Sequence, residues 1–349
     1  MEITTFSVDL AKNKFQVHGF DARGDKQVSK SIRRKEMQSF FERWPTRCLV
    51  VMEACGGSHH WGRLLLSLGY RVKLVPAQFV KPFVVGNKTD RNDADAIYEA
   101  SQRPKVRPVP VKRIEQQDAL LTHATREQWV RMRTAVVNQI RGELAERGIV
   151  YGKGIATLRN GLRELLACEG QGDVTLLFCQ WLQQRQADWR IFDERIDACE
   201  QQMRLQVQSD PACQRIGEVE GIGLITASAT VALVGDARQF ASSRHLASWL
   251  GVTPKEHSSG ETRRLGGLSK RGDIYLRKLF VHGARAAIAA VGRKLKQAKA
   301  LNDRERWIHA LVTRRGFNKA CVAVAAKNAR IVWALLTTGE AYRTALPAT

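Results

Sequence analysis

Four carboxylates stand in places where a folded chain needs a reason to keep one. Asp9 follows the apolar residues Phe6 and Val8, Glu53 comes directly after the apolar run from Cys48 to Met52, and Asp90 and Asp93 lie three apart in NKTDRNDADAI. Each has an ordinary explanation alone: a turn residue for Asp9, a strand-end acid for Glu53, and solvated acids favoured by a helix N-terminus for Asp90 and Asp93. Together they suggest more, because converging carboxylates repel one another unless a divalent cation neutralises them. Magnesium prefers oxygen ligands, and a pair of such ions about 3.5–4 Å apart activates an attacking oxygen and stabilises a leaving one in phosphodiester chemistry.

The Ser258-Ser259-Gly260 stretch becomes a second candidate only through the family resemblance given below. A serine hydroxyl that attacks a phosphate forms a phosphoserine bond and conserves the energy of the broken phosphodiester for rejoining. Arg263, Arg264, Lys270, Arg271, Arg277 and Lys278 follow closely and can neutralise phosphate charge, as can Lys88 and Arg91 beside the paired acids. Read by itself, Ser-Ser-Gly is better taken as an ordinary polar turn, and His257 beside it, though able to act as a base, is more often simply an exposed loop histidine.

The elements that must position these groups are legible in outline. Phe6, Val8 and Leu10 alternate, a polar turn occupies Ala11 to Lys14, and Phe15 and Val17 alternate again, so a hairpin is expected with Asp9 near its tip. Gln27 to Ile32 reads as a third strand and Glu36 to Trp44 as a helix with Met37, Phe40 and Phe41 inward. The continuous apolar run before Glu53 predicts a central strand covered on both faces. A helix from Ser58 to Leu68 and a strand from Tyr70 to Val75, ended by Pro76, follow. Thr89 is placed to cap a helix starting at Asp90, which would set Asp90 and Asp93 on one face and turn Asp95 elsewhere.

Beyond Glu115 the pattern becomes helical. Trp129, Met132, Val136, Ile140 and Leu144 recur at helical spacing, as do Leu176, Cys179, Leu182, Trp189, Ile196 and Met203, which predicts an antiparallel arm. Its stripe is either a dimer seam or an intramolecular hairpin. From Pro211, the VEGIG stretch resembles the turn of a helix-hairpin-helix, whose glycines let backbone N–H groups approach a phosphate. A Gly-x-Gly turn before any helix looks the same.

Bulk properties narrow the class. The 349 residues are 44% hydrophobic, enough for a core and for two or three domains. The longest apolar runs fall short of the roughly 20 residues of a membrane span, and the N-terminus lacks the features of a secretory signal, so the chain is expected in the cytoplasm. Seven scattered cysteines without zinc-site spacing are expected as reduced, mostly buried thiols. The formal charge is +22, and between Ala241 and Thr349 there are 21 basic against 6 acidic residues. A long polyanion is the natural partner, gripped hardest by the C-terminal third.

The motifs VDLAK, VMEACGGS, KTDRNDADA, EGIG, LASWLGVTP and HSSGETRRLGGLSKRGDIYLRKL occur in this order over nearly the whole chain. Jointly they resemble the DEDD transposases of the insertion-sequence one-ten family, relatives of the pilin-gene inversion recombinase. The resemblance implies an α/β plus all-α protein in three parts. These are an RNase H-like domain of the RuvC-like resolvase type over 1–112, a coiled-coil-like helical arm over 113–210, and a helical transposase domain with a helix-hairpin-helix-like segment over 211–349. It implies that Asp9, Glu53, Asp90 and Asp93 bind magnesium and that the nucleophile is the serine directly before glycine, Ser259, with Ser258 the alternative. It further implies DNA as substrate, a structured noncoding guide RNA as partner, and a dimer or tetramer. Two other readings remain: a structure-specific junction resolvase using only the acids and water, and a nonenzymatic helix-hairpin-helix DNA binder.

Overall fold

The computed structural model describes residues 2–87, 89–167 and 173–343, in two compact units, Met1–Glu115 and Gln116–Thr349. Lys88 and Cys168 lie outside the described residues.

The first unit is built on a five-stranded sheet in the order β3-β2-β1-β4-β5. Strands β1 (Thr5–Asp9), β2 (Lys14–Phe20) and β3 (Lys26–Arg33) form an antiparallel meander, and β4 (Leu49–Glu53) and β5 (Arg71–Val75) continue parallel to β1. Alternation along the strands divides the side chains between two layers. Phe6, Val8, Val50, Met52 and Leu74 pack with Met37 and Phe41 of α1 (Met37–Glu42) and with Trp61 and Leu65 of α2 (Ser58–Ser67). Val51 and Val75 pack on the opposite side with Val80 of α3 (Ala77–Val80) and with Ala96, Ile97 and Ala100 of α4 (Asp90–Ser101). Burial on both faces is why β4 reads as an unbroken apolar run. The exposed outer strand β3 carries Lys26 and Lys30, charges that discourage edge-to-edge pairing. This mixed α/β sheet is consistent with an RNase H-like domain. The helix expected over Glu36 to Trp44 is shorter, because Arg34–Glu36 forms a single tight turn before it.

In the second unit, α5 (Ile114–Ala145), which starts just before the boundary, runs antiparallel to α7 (Leu176–Ser209), with α6 (Ile155–Ala167) between them in sequence. Val137, Ile140 and Leu144 bury against Leu158 and Leu162 of α6 and Phe178, Leu182 and Trp189 of α7. Arg126 pairs with Glu200 at 2.6 Å and Arg133 with Asp193 at 2.9 Å, which fixes the antiparallel register. Most of the expected stripe is thus buried within one chain, while Trp129 and Val136 are half-buried, Met132 is 39% exposed and Leu176 61%. Helix α6 falls in the stretch read in general as helical but is not one of the two long helices that the spacing marks out. Gly161 sits under the ring of Tyr151, where a Cβ would meet a ring carbon at 2.1 Å, so packing retains a residue that argues locally against a helix.

A separate core joins α8 (Pro211–Gly217), α9 (Leu224–Val234), α10 (Ser243–Trp249), α11 (Ile274–Lys296), α12 (Asp303–Arg315) and α13 (Phe317–Thr338). Strands β6 (Pro254–Glu256) and β7 (Leu265–Leu268) form a hairpin between α10 and α11. Helix α13 is long and apolar enough to cross a membrane by composition, but Ala320, Val324, Ala325, Ala329 and Val332 lie in this core. Among the described cysteines all but the half-buried Cys55 are buried, and none is bridged.

Part of the VEGIG turn is engaged in packing. Gly221 has a positive φ of 89° and lies against Gly283 of α11, where a Cβ on Gly283 would stand 1.8 Å from the Gly221 carbonyl oxygen. Glu220 pairs with the buried Arg304 and accepts from the Tyr342 hydroxyl at 2.8 Å, while Asn328 Nδ2 donates to the Glu220 carbonyl at 2.9 Å. The glycine at 221 therefore serves a backbone-to-backbone crossing inside the unit, while Gly223, exposed at the N-terminus of α9, has nothing within 4 Å of where a Cβ would stand. Gly283→Ala is expected to destabilise the protein by about 2–3 kcal/mol through overpacking. Gly292→Ala on the same helix meets nothing within 4 Å and should be neutral or stabilising. Calorimetric melting of the full chain checks this, with a drop of several degrees expected for the first variant alone.

Candidate active site

Strand register brings the first two acids together. Val8 pairs with Met52 across the parallel β1–β4 ladder, so Asp9 and Glu53, the last residues of their strands, end side by side. Strand alternation sends Ser7 and Asp9 to one face, with Val51 and Glu53 on the same face. That face is the one α4 covers, since the Ser7 hydroxyl donates to the Ala94 carbonyl at 2.7 Å and Val51 packs on Ala96 and Ile97. Both carboxylates are half-buried. Their shared field is felt at Cys55, whose thiol is pushed up first by burial and then by Glu53 and Asp9.

The other two acids occupy the first turn of α4. Thr89 caps the helix by accepting from the Asn92 N–H at 3.3 Å, and the Asp93 N–H donates to the Thr89 carbonyl at 3.0 Å. Asp93 is half-buried and Asp90 exposed. Asp95 turns to a different side of the helix, as expected, and accepts from His18 Nδ1 at 2.7 Å and from Lys26 at 2.9 Å. Burial lowers the His18 pKa against the opposing pull of Asp95, so this pair acts as an anchor of α4 on β2. Arg91 is exposed beside Asp90.

The chemistry of these groups would suit a hard divalent cation: four carboxylates from two strand ends and from the first turn of the helix that covers that face of the sheet. Among the described residues, however, no three His, Cys, Asp or Glu side chains stand close enough to hold one ion. Carboxylates repel, and drawing several of them to about 2.1 Å from one centre takes a cation between them.

The serines lie on the β6–β7 hairpin. Ser259 and Thr262 exchange backbone hydrogen bonds of 3.3 and 3.2 Å, and Gly260 takes the positive φ, 57°, that a tight hairpin turn requires. The two hydroxyls differ in their engagements. Ser258 Oγ donates to Glu256 at 2.8 Å and accepts from the Arg264 N–H at 3.2 Å. Ser259 is exposed at the tip, and no side-chain hydrogen bond engages it among the described residues. Glu256, which sequence reasoning passed over, is held below its ordinary pKa by the Ser258 hydrogen bond and by Arg263. Its place two residues before a serine in a polar loop was the available signal.

The base of the hairpin is firmly held. Ser269 N–H donates to the Thr253 carbonyl at 2.9 Å and Lys270 N–H to that of Gly251 at 3.2 Å. Gly251 and Gly272 both take positive φ, and a Cβ on Gly272 would lie 1.7 Å from the Trp249 carbonyl oxygen. Arg277 donates to the carbonyls of Arg271 at 3.0 Å and Leu250 at 3.4 Å. The first turn of α11 is fixed in turn by Tyr275, which meets His123 Nδ1 at 3.0 Å, while His123 Nε2 meets the Ser228 hydroxyl at 3.1 Å. Of the expected phosphate contacts, Arg263, Arg264, Lys270 and Arg271 are exposed around the hairpin. Arg277 is half-buried and engaged as described, and Lys278 is paired with Glu127. His257 is exposed.

Two family profiles match this sequence: the transposase IS116/IS110/IS902 family over residues 213–300, and a DEDD transposase profile of the IS110 type over residues 6–147. A probable family 20 transposase of Pseudomonas aeruginosa is 42% identical over 343 residues, spanning 98% of this chain and 99% of that one. The transposase for insertion sequence element IS1111A of Coxiella burnetii is 40% identical, over 98% and 92% of the two chains. The transposase for insertion sequence element IS1328 of Yersinia enterocolitica is 33% identical, over 97% and 98%. The chain is thus a transposase, an enzyme that recombines DNA. It belongs to the IS116/IS110/IS902 family, as the motif resemblance implied. A DEDD-type family carries with it dependence on a divalent metal ion.

Proposed function

We propose that this transposase cuts and rejoins DNA through a phosphoserine bond at Ser259, with magnesium held by Asp9, Glu53, Asp90 and Asp93. The observation that carries the reading is the division of labour in the hairpin. Ser258 is occupied in holding the turn, and the exposed Ser259 hydroxyl next to it has no side-chain engagement among the described residues. In the cutting step, Ser259 Oγ forms a bond to phosphorus while the bond from phosphorus to one sugar oxygen breaks. The serine gives up its proton and the departing sugar oxygen gains one, so no outside energy source is needed for the reverse, rejoining step. Bound magnesium would activate the attacking oxygen and stabilise the leaving one. Arg263, Arg264, Lys270 and Arg271 hold the phosphate charge, and Arg91 and Lys88 serve the strand near the acids.

The catalytic centre is composite: the acids of one protomer meet the serine of another, in a dimer or tetramer that holds several cuts together. The parts follow the division 1–112 (RuvC-like catalytic domain), 113–210 (arm) and 211–349 (serine-bearing domain). Sequence choice rests with a noncoding guide RNA encoded by the element, which pairs with donor and target DNA while the basic protein grips backbones. Sequencing the nucleic acid that co-purifies with the full chain from cells checks this. One discrete RNA is the expected outcome, and random fragments alone contradict it.

A further inference from the structure

The turn between α12 and α13 carries features that the catalytic reading does not use. Between Ile274 and Thr338 there are 14 basic residues and only two acids, Asp303 and Glu305. Both acids are already paired, Asp303 with Arg306 and Glu305 with Lys294. At the turn itself, Arg314, Arg315 and Lys319 are exposed, and none has an acidic partner among the described residues. Phe317 stands among them with 45% of its surface exposed. The guanidinium of Arg285, on the neighbouring α11, lies 5.8 Å from the Phe317 ring centroid and donates to Asn318 Oδ1 at 3.3 Å.

Isolated surface aromatics are common and need no explanation. This one has the Arg285 guanidinium against it and Arg314, Arg315 and Lys319 within three residues along the chain, cations without acidic partners among the described residues, a combination that matches single-stranded nucleic acid: phosphates for the cations and a base for the ring. In a duplex the faces of the bases are already stacked on their neighbours, so an exposed ring gains most from an unpaired base. We propose that Arg285, Arg314, Arg315, Phe317 and Lys319 form a binding surface for single-stranded nucleic acid, in which Phe317 stacks on an unpaired base. The surface shares no residue with the serine hairpin. It rests on the reading above only in taking nucleic acid as the partner.

The test measures anisotropy of labelled single-stranded and duplex oligonucleotides, as DNA and as RNA, with the full chain and its variants. Phe317→Ala should weaken single-strand binding about ten-fold and leave duplex binding and the melting temperature unchanged, while Phe317→Trp restores it. Arg314→Gln with Arg315→Gln should flatten the salt dependence of single-strand binding by about 1.4 in log–log slope, two phosphate contacts' worth. Equal single-strand affinity for Phe317→Ala and the parent overturns the proposal, as does equal loss on single strands and duplexes. An Asp9→Asn chain run in parallel separates the two readings: loss of its cutting with retained binding supports the catalytic account whatever Phe317 does.

Discussion

Ser259→Ala is expected to abolish covalent attachment of the protein to cut DNA and to lower recombination by at least about 10⁴-fold, the scale on which enzymes respond to loss of their nucleophile. Ser258→Ala should behave differently. That hydroxyl ties Glu256 to the Arg264 N–H in an exposed hairpin, so its removal costs about 1 kcal/mol of local order and leaves attachment intact. Gel shifts of denatured protein–DNA adducts distinguish the two. The same pair of variants separates recombination from simple junction resolution, since a resolvase that uses only acids and water would keep cutting branched DNA after Ser259→Ala.

Asp9→Asn or Glu53→Gln should reduce strand cutting by about a thousand-fold at any magnesium concentration, corresponding to several kcal/mol of lost charge stabilisation. Both changes are nearly isosteric at half-buried strand ends, so the fold should survive, and the melting temperature is the control. Because the proposed centre is shared between protomers, mixing Asp9→Ala with Ser259→Ala subunits should restore part of the activity. A clean failure of that mixture would count against the composite arrangement.

Much of the site's scaffold was legible because it is set locally. The hairpin that carries Asp9, the strand that ends at Glu53, and the Thr89 cap that aims Asp90 and Asp93 all follow from alternation, a run of apolar residues and one capping side chain. What escaped depends on partners distant in sequence. Nothing near VEGIG reveals that Gly221 will meet Gly283, so the packing role of that glycine was not legible in its own neighbourhood. Helix α6 lay within the stretch read as helical but was not placed, and its Gly161 is explained only by the ring of Tyr151, outside the helix. The anchor between Asp95 and His18 spans 77 residues, although the turn of Asp95 away from the other acids was already implied by helical geometry. The two serines could not be ranked from their residues alone, because what separates them is a pair of hydrogen bonds made across the folded hairpin.

The central claim is that the Ser259 hydroxyl attacks DNA with the help of a carboxylate-bound magnesium ion. Its most direct measurement is the chemical identity of the protein–DNA link. After incubation with end-labelled DNA and magnesium, proteolysis and mass spectrometry of the adduct should place a phosphodiester on Ser259, and the adduct should be absent with chelator or in Asp9→Asn. A link on another residue, or efficient cutting by the parent protein with no covalent adduct at any time, would contradict it.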